Sequence, residues 1–197
     1  MARSAERTKQ RILGRAYVLF RRKGFTRVNM DEIAAAAEIT KRTLYSHFRS
    51  KDELLATVLE TQHRLALEAF ETFGKKLSGT PPRIVEALFD ELAAWSSKPR
   101  WGGSGFTRLA MELADLPGHP ARSIAKRHKE LIEAELAAML QRAGLPSAAK
   151  RAREIFLLSE GAMALVLIHG DRAYIRAAAQ AALALLGSPS TKAGLSG

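Results

Sequence analysis

The chain has no cysteine in its 197 residues, which excludes disulfides, thiolate metal sites and thiol redox chemistry. Aromatic residues make up only 7 %. Alternating runs of β-branched residues are missing, and with them the usual mark of strands. Long hydrophobic runs are missing too. The longest apolar stretch, Ile155 to Ile168, is interrupted by Ser159 and Glu160 and is too short to span a bilayer. The opening Met-Ala-Arg-Ser-Ala-Glu-Arg has no apolar core. No secretory signal and no membrane partner are therefore expected, and the expected location is cytoplasmic. Acid is scarce: 20 Asp or Glu stand against 31 Lys or Arg, a net charge of +11.

What the chain does have is alanine, leucine and base. Hydrophobic residues reach 47 %, enough for a real core at this length, and the composition favours an all-α fold. The base is unevenly spread. Residues 1–52 hold 13 Lys or Arg against 5 Asp or Glu, and the remainder 18 against 15. An excess concentrated in the first quarter suits a polyanion as partner. A basic helix lying on a membrane surface is the competing reading. The N-terminal helix needs its apolar face for packing, which counts against it.

The stretch 29–53 organises the rest. Asn29 can cap a short helix, with Glu32 as capping-box partner, and Ile33, Ala34 and Ala37 share one side. Glu38 and Ile39 make a turn. Thr40 can cap a second short helix with Leu44 and Phe48 inward. Ser50 followed by Glu53 is a further capping box that opens a long helix. The outward residues of the second helix are Lys41, Arg42, Thr43, Tyr45, Ser46 and His47. All donate hydrogen bonds and none is acidic. A solvated face normally mixes signs, whereas a donor-only face suits phosphate oxygens and the acceptor-rich edge of guanine.

Ile33-Ala34-x-x-Ala37, then Ile39-Thr40-x-x-Thr43-Leu44-Tyr45-x-His47-Phe48, then Lys51-x-Glu53-Leu54-Leu55 resembles the DNA-binding signature of the TetR family of transcriptional regulators, over roughly residues 8–56. One position departs from it: Glu38 stands where the family usually has Gly. A non-Gly residue held at positive φ costs about 1 kcal/mol. The resemblance implies an all-α protein with a three-helix helix-turn-helix domain at 1–52. A helical ligand-binding and dimerisation bundle follows at 53–187, and the Gly, Ser, Pro and Thr content of 188–197 predicts a flexible tail there. The resemblance places Lys41 and Arg42 against base edges. Thr43, Tyr45, Ser46, His47 and Lys51 meet phosphates, with Thr40 capping the helix. Asn29 and Met30 offer backbone N–H groups to a further phosphate. A buried structural role for His47, and a core ring with an outward hydroxyl for Tyr45, are the plain alternatives.

The flanking segments read as helices broken by Gly and Pro. The first runs to about Lys23, with Ile12, Ala16, Leu19 and Phe20 on its buried stripe and Gly24 as a left-handed cap. The fourth runs from Lys51 to about residue 77. Later helices are expected at 83–97, 106–115, 121–143, 148–169 and 172–186. Ile84, Leu88, Leu92 and Trp95 should face inward on the fifth. The helix after Glu154 is apolar nearly all round, and the last is alanine-rich. Two such helices from each of two subunits would make a four-helix homodimer interface.

Enzyme constellations are weak. Gly102-Gly103-Ser104-Gly105 has neither the strand nor the Lys-Ser/Thr of a phosphate loop, and Ser123-x-x-Lys126 lacks companion motifs. The histidines at 47, 63, 119, 128 and 169 show no metal-ligand spacing. No catalytic residue, metal or cofactor is expected. A ligand pocket in the second domain is expected among Trp95, Trp101, Phe106, Met111, Phe156 and Met163, with Leu116 and Met139 as further large side chains. Glu160 is its polar candidate, while Glu112 is expected to pair with Arg108. The reading is a ligand-responsive regulator, a repressor bound as a dimer to double-stranded DNA and released by a small apolar effector. A small-molecule-binding helical protein that coats nucleic acid without sequence preference is the alternative.

Overall fold

The computed structural model describes residues 2–76 and 79–187, and the expected tail at 188–197 lies outside them. Among the described residues the chain is all-α, with nine helices and no strand. They are α1 (Ala2–Lys23), α2 (Met30–Ala36), α3 (Lys41–His47), α4 (Lys51–Lys76), α5 (Pro81–Ser96), α6 (Gly105–Glu112), α7 (Pro120–Arg142), α8 (Ala148–His169) and α9 (Ala173–Gly187). Two compact units result. One is Met1–Ala69 with Ser104–Lys129, the other Phe70–Gly103 with Glu130–Gly197.

This division differs from a boundary at residue 52. The physical reason lies in the apolar partners of α4. Leu54 and Val58 join Ile12, Leu13 and Ala16 of α1, Ile33 and Ala34 of α2, and Leu44 and Phe48 around α3 in one buried cluster. Leu55 and Leu59 join a second cluster with Phe25, Phe106, Leu109, Leu113, Ala121 and Ile124. The first turns of α4 thus belong to the same unit as α6 and the start of α7. Leu13, at 5 % exposure, is a core residue that the expected α1 stripe left out, while Leu19 and Phe20 are only half-buried.

Local chemistry forms the helix ends as expected. Asn29 Oδ1 accepts from Glu32 N at 2.9 Å, and Thr40 Oγ1 accepts from Thr43 N at 3.1 Å. Ser50 Oγ accepts from Glu53 N at 3.1 Å, while Glu53 Oε2 accepts from Arg49 N at 2.7 Å. The box at Asn29 is only half made. The Glu32 carboxylate pairs instead with Lys23, and that bond holds it below the usual carboxylate value. The turn from α2 to α3 closes with Ile39 N on Ala34 O at 3.1 Å and Glu38 N on Ala35 O at 3.1 Å. This is the Schellman pattern, and Glu38 occupies its left-handed position at φ 55°.

In the second unit α5, α8 and α9 pack on one another around Val85, Phe89, Ala152, Ile155, Ile175 and Ala182. Val85 and Phe89, not Leu88 and Leu92, are the most buried residues of α5, which shifts its inward face from the one expected.

Candidate nucleic-acid interface

α3 is held by one deeply buried side chain, Leu44, with Phe48 following at its end. Everything else on it is polar or exposed. Lys41, Arg42, Tyr45 and Ser46 are exposed, and Thr43 and His47 half-buried. Tyr45 is 44 % exposed, so it is not a core ring. His47 leans on Phe48 with ring centroids 6.5 Å apart. Thr40 and Thr43 share a hydroxyl hydrogen bond at 2.8 Å, and Ser46 Oγ donates to Thr43 O at 2.7 Å. Among the described residues the Arg42 guanidinium has no hydrogen bond or ion pair, and the residue is exposed.

Two expected contacts change, those of Lys41 and Lys51. Lys41 Nζ is paired with Asp31 of α2, 2.8 Å from Oδ1, and that bond raises its pKa. The face is therefore not purely of donors, because α2 brings a carboxylate to its edge. Met30 is 8 % exposed and its side chain belongs to the core, in keeping with the expectation that only its backbone faces a phosphate. Lys51 is not free for phosphate. Its Nζ donates to Phe25 O at 3.1 Å and Val28 O at 3.0 Å, and lies 4.3 Å from the centroid of the Phe25 ring. An ammonium so supplied with carbonyls and a π-face has little to gain from a phosphate.

The same turn is approached from α6. Glu112 Oε2 accepts from Phe25 N at 3.0 Å, and Oε1 accepts from Thr26 N at 2.7 Å and Thr26 Oγ1 at 2.6 Å. Burial pushes this carboxyl up. The hydrogen bonds from Thr26 and Phe25, with the Arg108 charge, outweigh burial and hold it below the usual value. Arg108 itself donates to Arg21 O at 3.2 Å. The sequence marks Glu112 as a polar residue in an apolar segment, but not its partners, which lie 86 and 87 positions away.

A buried pair of histidines also escapes sequence spacing. His63 Nδ1 and His128 Nδ1 are 3.0 Å apart, and Phe106 stacks on His128 at 3.8 Å. Burial, then the Lys129 charge and His63, push His128 down to about 4.

The expected ligand residues fall in both units. Phe106 and Met111 lie in the first unit, where Phe106 packs on His128 and Met111 is 68 % exposed. Leu116 is exposed as well, at 53 %. Trp95, Trp101, Phe156, Glu160 and Met163 lie in the second unit. Trp95 and Trp101 meet edge to face at 5.6 Å, Phe156 and Glu160 are half-buried, and Met163 is buried at 7 %. Phe106 belongs to the first unit because the short α6 spends its apolar face on the cluster around Phe25. Among the described residues no group of three or more His, Asp or Glu could hold a metal. Nor is any helix among them long and apolar enough to cross a membrane.

Residues 12–58 match the family model described as bacterial regulatory proteins, tetR family. The chain is 35 % identical over 98 residues to the HTH-type transcriptional regulator SrpR of Pseudomonas putida, covering 49 % of this chain and 45 % of that protein. It is 34 % identical over 98 residues to TtgW, also of Pseudomonas putida, described as an uncharacterized HTH-type transcriptional regulator, covering 49 % of this chain and 72 % of that one. The match thus spans less than half the length of the first relative and most of the second. In three dimensions the chain is similar to SCO4454, a TetR-family transcriptional regulator from Streptomyces coelicolor. The TM-score is 0.81 at 24 % identity, covering 92 % of this chain and 96 % of that one.

Proposed function

The chain belongs to the TetR family of bacterial regulatory proteins, and from that membership we propose that it is a transcriptional repressor, gripping a pseudo-palindromic operator as a homodimer and released by a small apolar effector. The observation that carries this reading is α3. It is a seven-residue helix held inward by Leu44, with Arg42 unengaged and Tyr45 and His47 available as further donors. A helix of that kind fits a major groove, with its first residues at base edges and later ones at the backbone. Lys41 exchanges Asp31 for DNA on binding.

Dimerisation is supported by α8. Leu157, Leu165 and Ile168 recur at helical spacing, and they are 72, 37 and 70 % exposed. A second copy covering this stripe would make the dimer, and reading a pseudo-palindrome requires its two α3 helices to lie about 34 Å apart, one turn of the duplex. An effector in the second unit would act by preferring the state that fits DNA less well.

The test is competition. Wild-type protein bound to a duplex selected from a random-sequence library should survive a large excess of unrelated DNA, and Arg42→Ala should lose that selectivity by about 1–3 kcal/mol per half-site. Equal displacement from every duplex would favour a non-specific coating protein instead.

A further inference from the structure

The turn between α1 and α2, residues 24–29, is a short loop whose peptide groups are taken by two other helices. From α6, the Glu112 carboxylate accepts both backbone N–H groups of Phe25 and Thr26 and the Thr26 hydroxyl, at 3.0, 2.7 and 2.6 Å. From α4, the Lys51 ammonium takes the carbonyls of Phe25 and Val28. Arg108, one turn before Glu112, takes the Arg21 carbonyl, one of those that α1 leaves open at its C-terminus. Gly24 allows the approach. It sits at φ 87°, and a Cβ there would lie 3.0 Å from Glu112 Oε1. Donors of the turn thus meet an anion and acceptors a cation, so every contact is charge-assisted.

Water could satisfy the exposed peptide groups of the turn, while the buried Phe25 and Val28 gain stability from these contacts as well. What water does not do is fix direction. The turn delivers the chain to Asn29, the cap of α2, and α2 packs on α3. Outside the common core, the clamp and the Lys23–Glu32 pair are the polar contacts that bear on the angle at which α2 leaves α1. Recognition side chains need placement to within about 0.5 Å. We propose that Glu112 is a positioning residue for DNA binding: from α6 it holds the Phe25–Thr26 amides and so aims the α2–α3 pair. This rests on the DNA-binding reading above.

The experiment compares full-length wild type, Glu112→Gln and Thr26→Val on the duplex selected by the wild-type protein, with amide hydrogen exchange of Phe25 and Thr26 measured with and without that duplex. Glu112→Gln keeps shape but turns an N–H group toward the turn's own donors. It should bind the duplex at least about tenfold more weakly while keeping its helix content and oligomeric state. Thr26→Val removes only the hydroxyl bond and should lose about twofold to fivefold. By reciprocity, DNA must slow exchange of the Phe25 and Thr26 amides in the wild type. If both variants bind as tightly as wild type, the proposal is overturned and the DNA-binding reading stands. If the wild type itself selects no duplex, that reading fails first. Should Glu112→Gln not fold, unchanged exchange of the two amides on adding DNA to wild type overturns the proposal, and slowed exchange together with weaker binding by Thr26→Val upholds it.

Discussion

Single side chains divide here into those that face outward for a partner and those that hold the reader in place. Arg42 and Lys51 show the difference, though both are basic and nine residues apart in one motif. Arg42 has no partner among the described residues, whereas Lys51 caps carbonyls and covers the Phe25 ring. Lys51→Met should therefore lower stability by about 1.5–3 kcal/mol, the worth of hydrogen bonds to a charged group. It should also weaken binding to all duplexes alike without changing the salt dependence. A fall of about 0.9 in the slope of log affinity against log salt would mean that a phosphate contact was lost, and that Lys51 sits on DNA after all. The sequence pointed to both cations as DNA contacts because charge and register are legible. Which carbonyls a lysine finds in space is not.

At the level of elements, two features sit where a turn or a helix pair carries an unusual group. Glu38 closes the α2–α3 turn in the left-handed region at φ 55°. Glu38→Gly should relieve that strain and, after allowing for the greater freedom of an unfolded glycine, stabilise the fold by at most about 0.5 kcal/mol. In a domain of this size that raises the melting midpoint by no more than about 2 °C. The second feature is the imidazole pair joining α4 to α7, in which one Nδ1 donates and the other accepts. His128 titrates at about 4 in the folded chain, below the ordinary 6.5. Between those values the unfolded chain takes up the proton and the folded chain does not. Stability is then full above pH 6.5 and falls as pH drops toward 4, by at most about 1.4 kcal/mol per pH unit. Melting curves from pH 7 to 5 should show this decline, and His128→Gln should flatten it. An equal decline in the variant would place the titrating group elsewhere. Neither partner could be read from spacing, since the two histidines are 65 positions apart.

For the molecule as a whole, the exposed stripe of α8 is the feature that a single chain does not explain. A helix apolar on most sides leaves Leu157 and Ile168 at 72 and 70 % exposure. Placing a charge there, as in Leu157→Glu or Ile168→Glu, should give a monomer by analytical ultracentrifugation. Operator affinity should then fall by about a hundredfold or more, on the order of the loss expected when one of two linked half-sites is removed. A charged variant that remains dimeric would move the interface off α8.

Sequence alone determined what depends on neighbours along the chain. Helix caps at Asn29, Thr40 and Ser50, the break at Gly24, the all-α class and the face of α3 follow from spacing and side-chain chemistry over four or five residues. Tertiary structure decided what depends on residues far apart in the chain. It joined Glu112 and Lys51 to one turn, paired His63 with His128, set Asp31 against Lys41 and put Phe106 in the same unit as α3. A charge finds its partner by proximity in space, and hydrophobic periodicity carries no record of which distant helix supplies it.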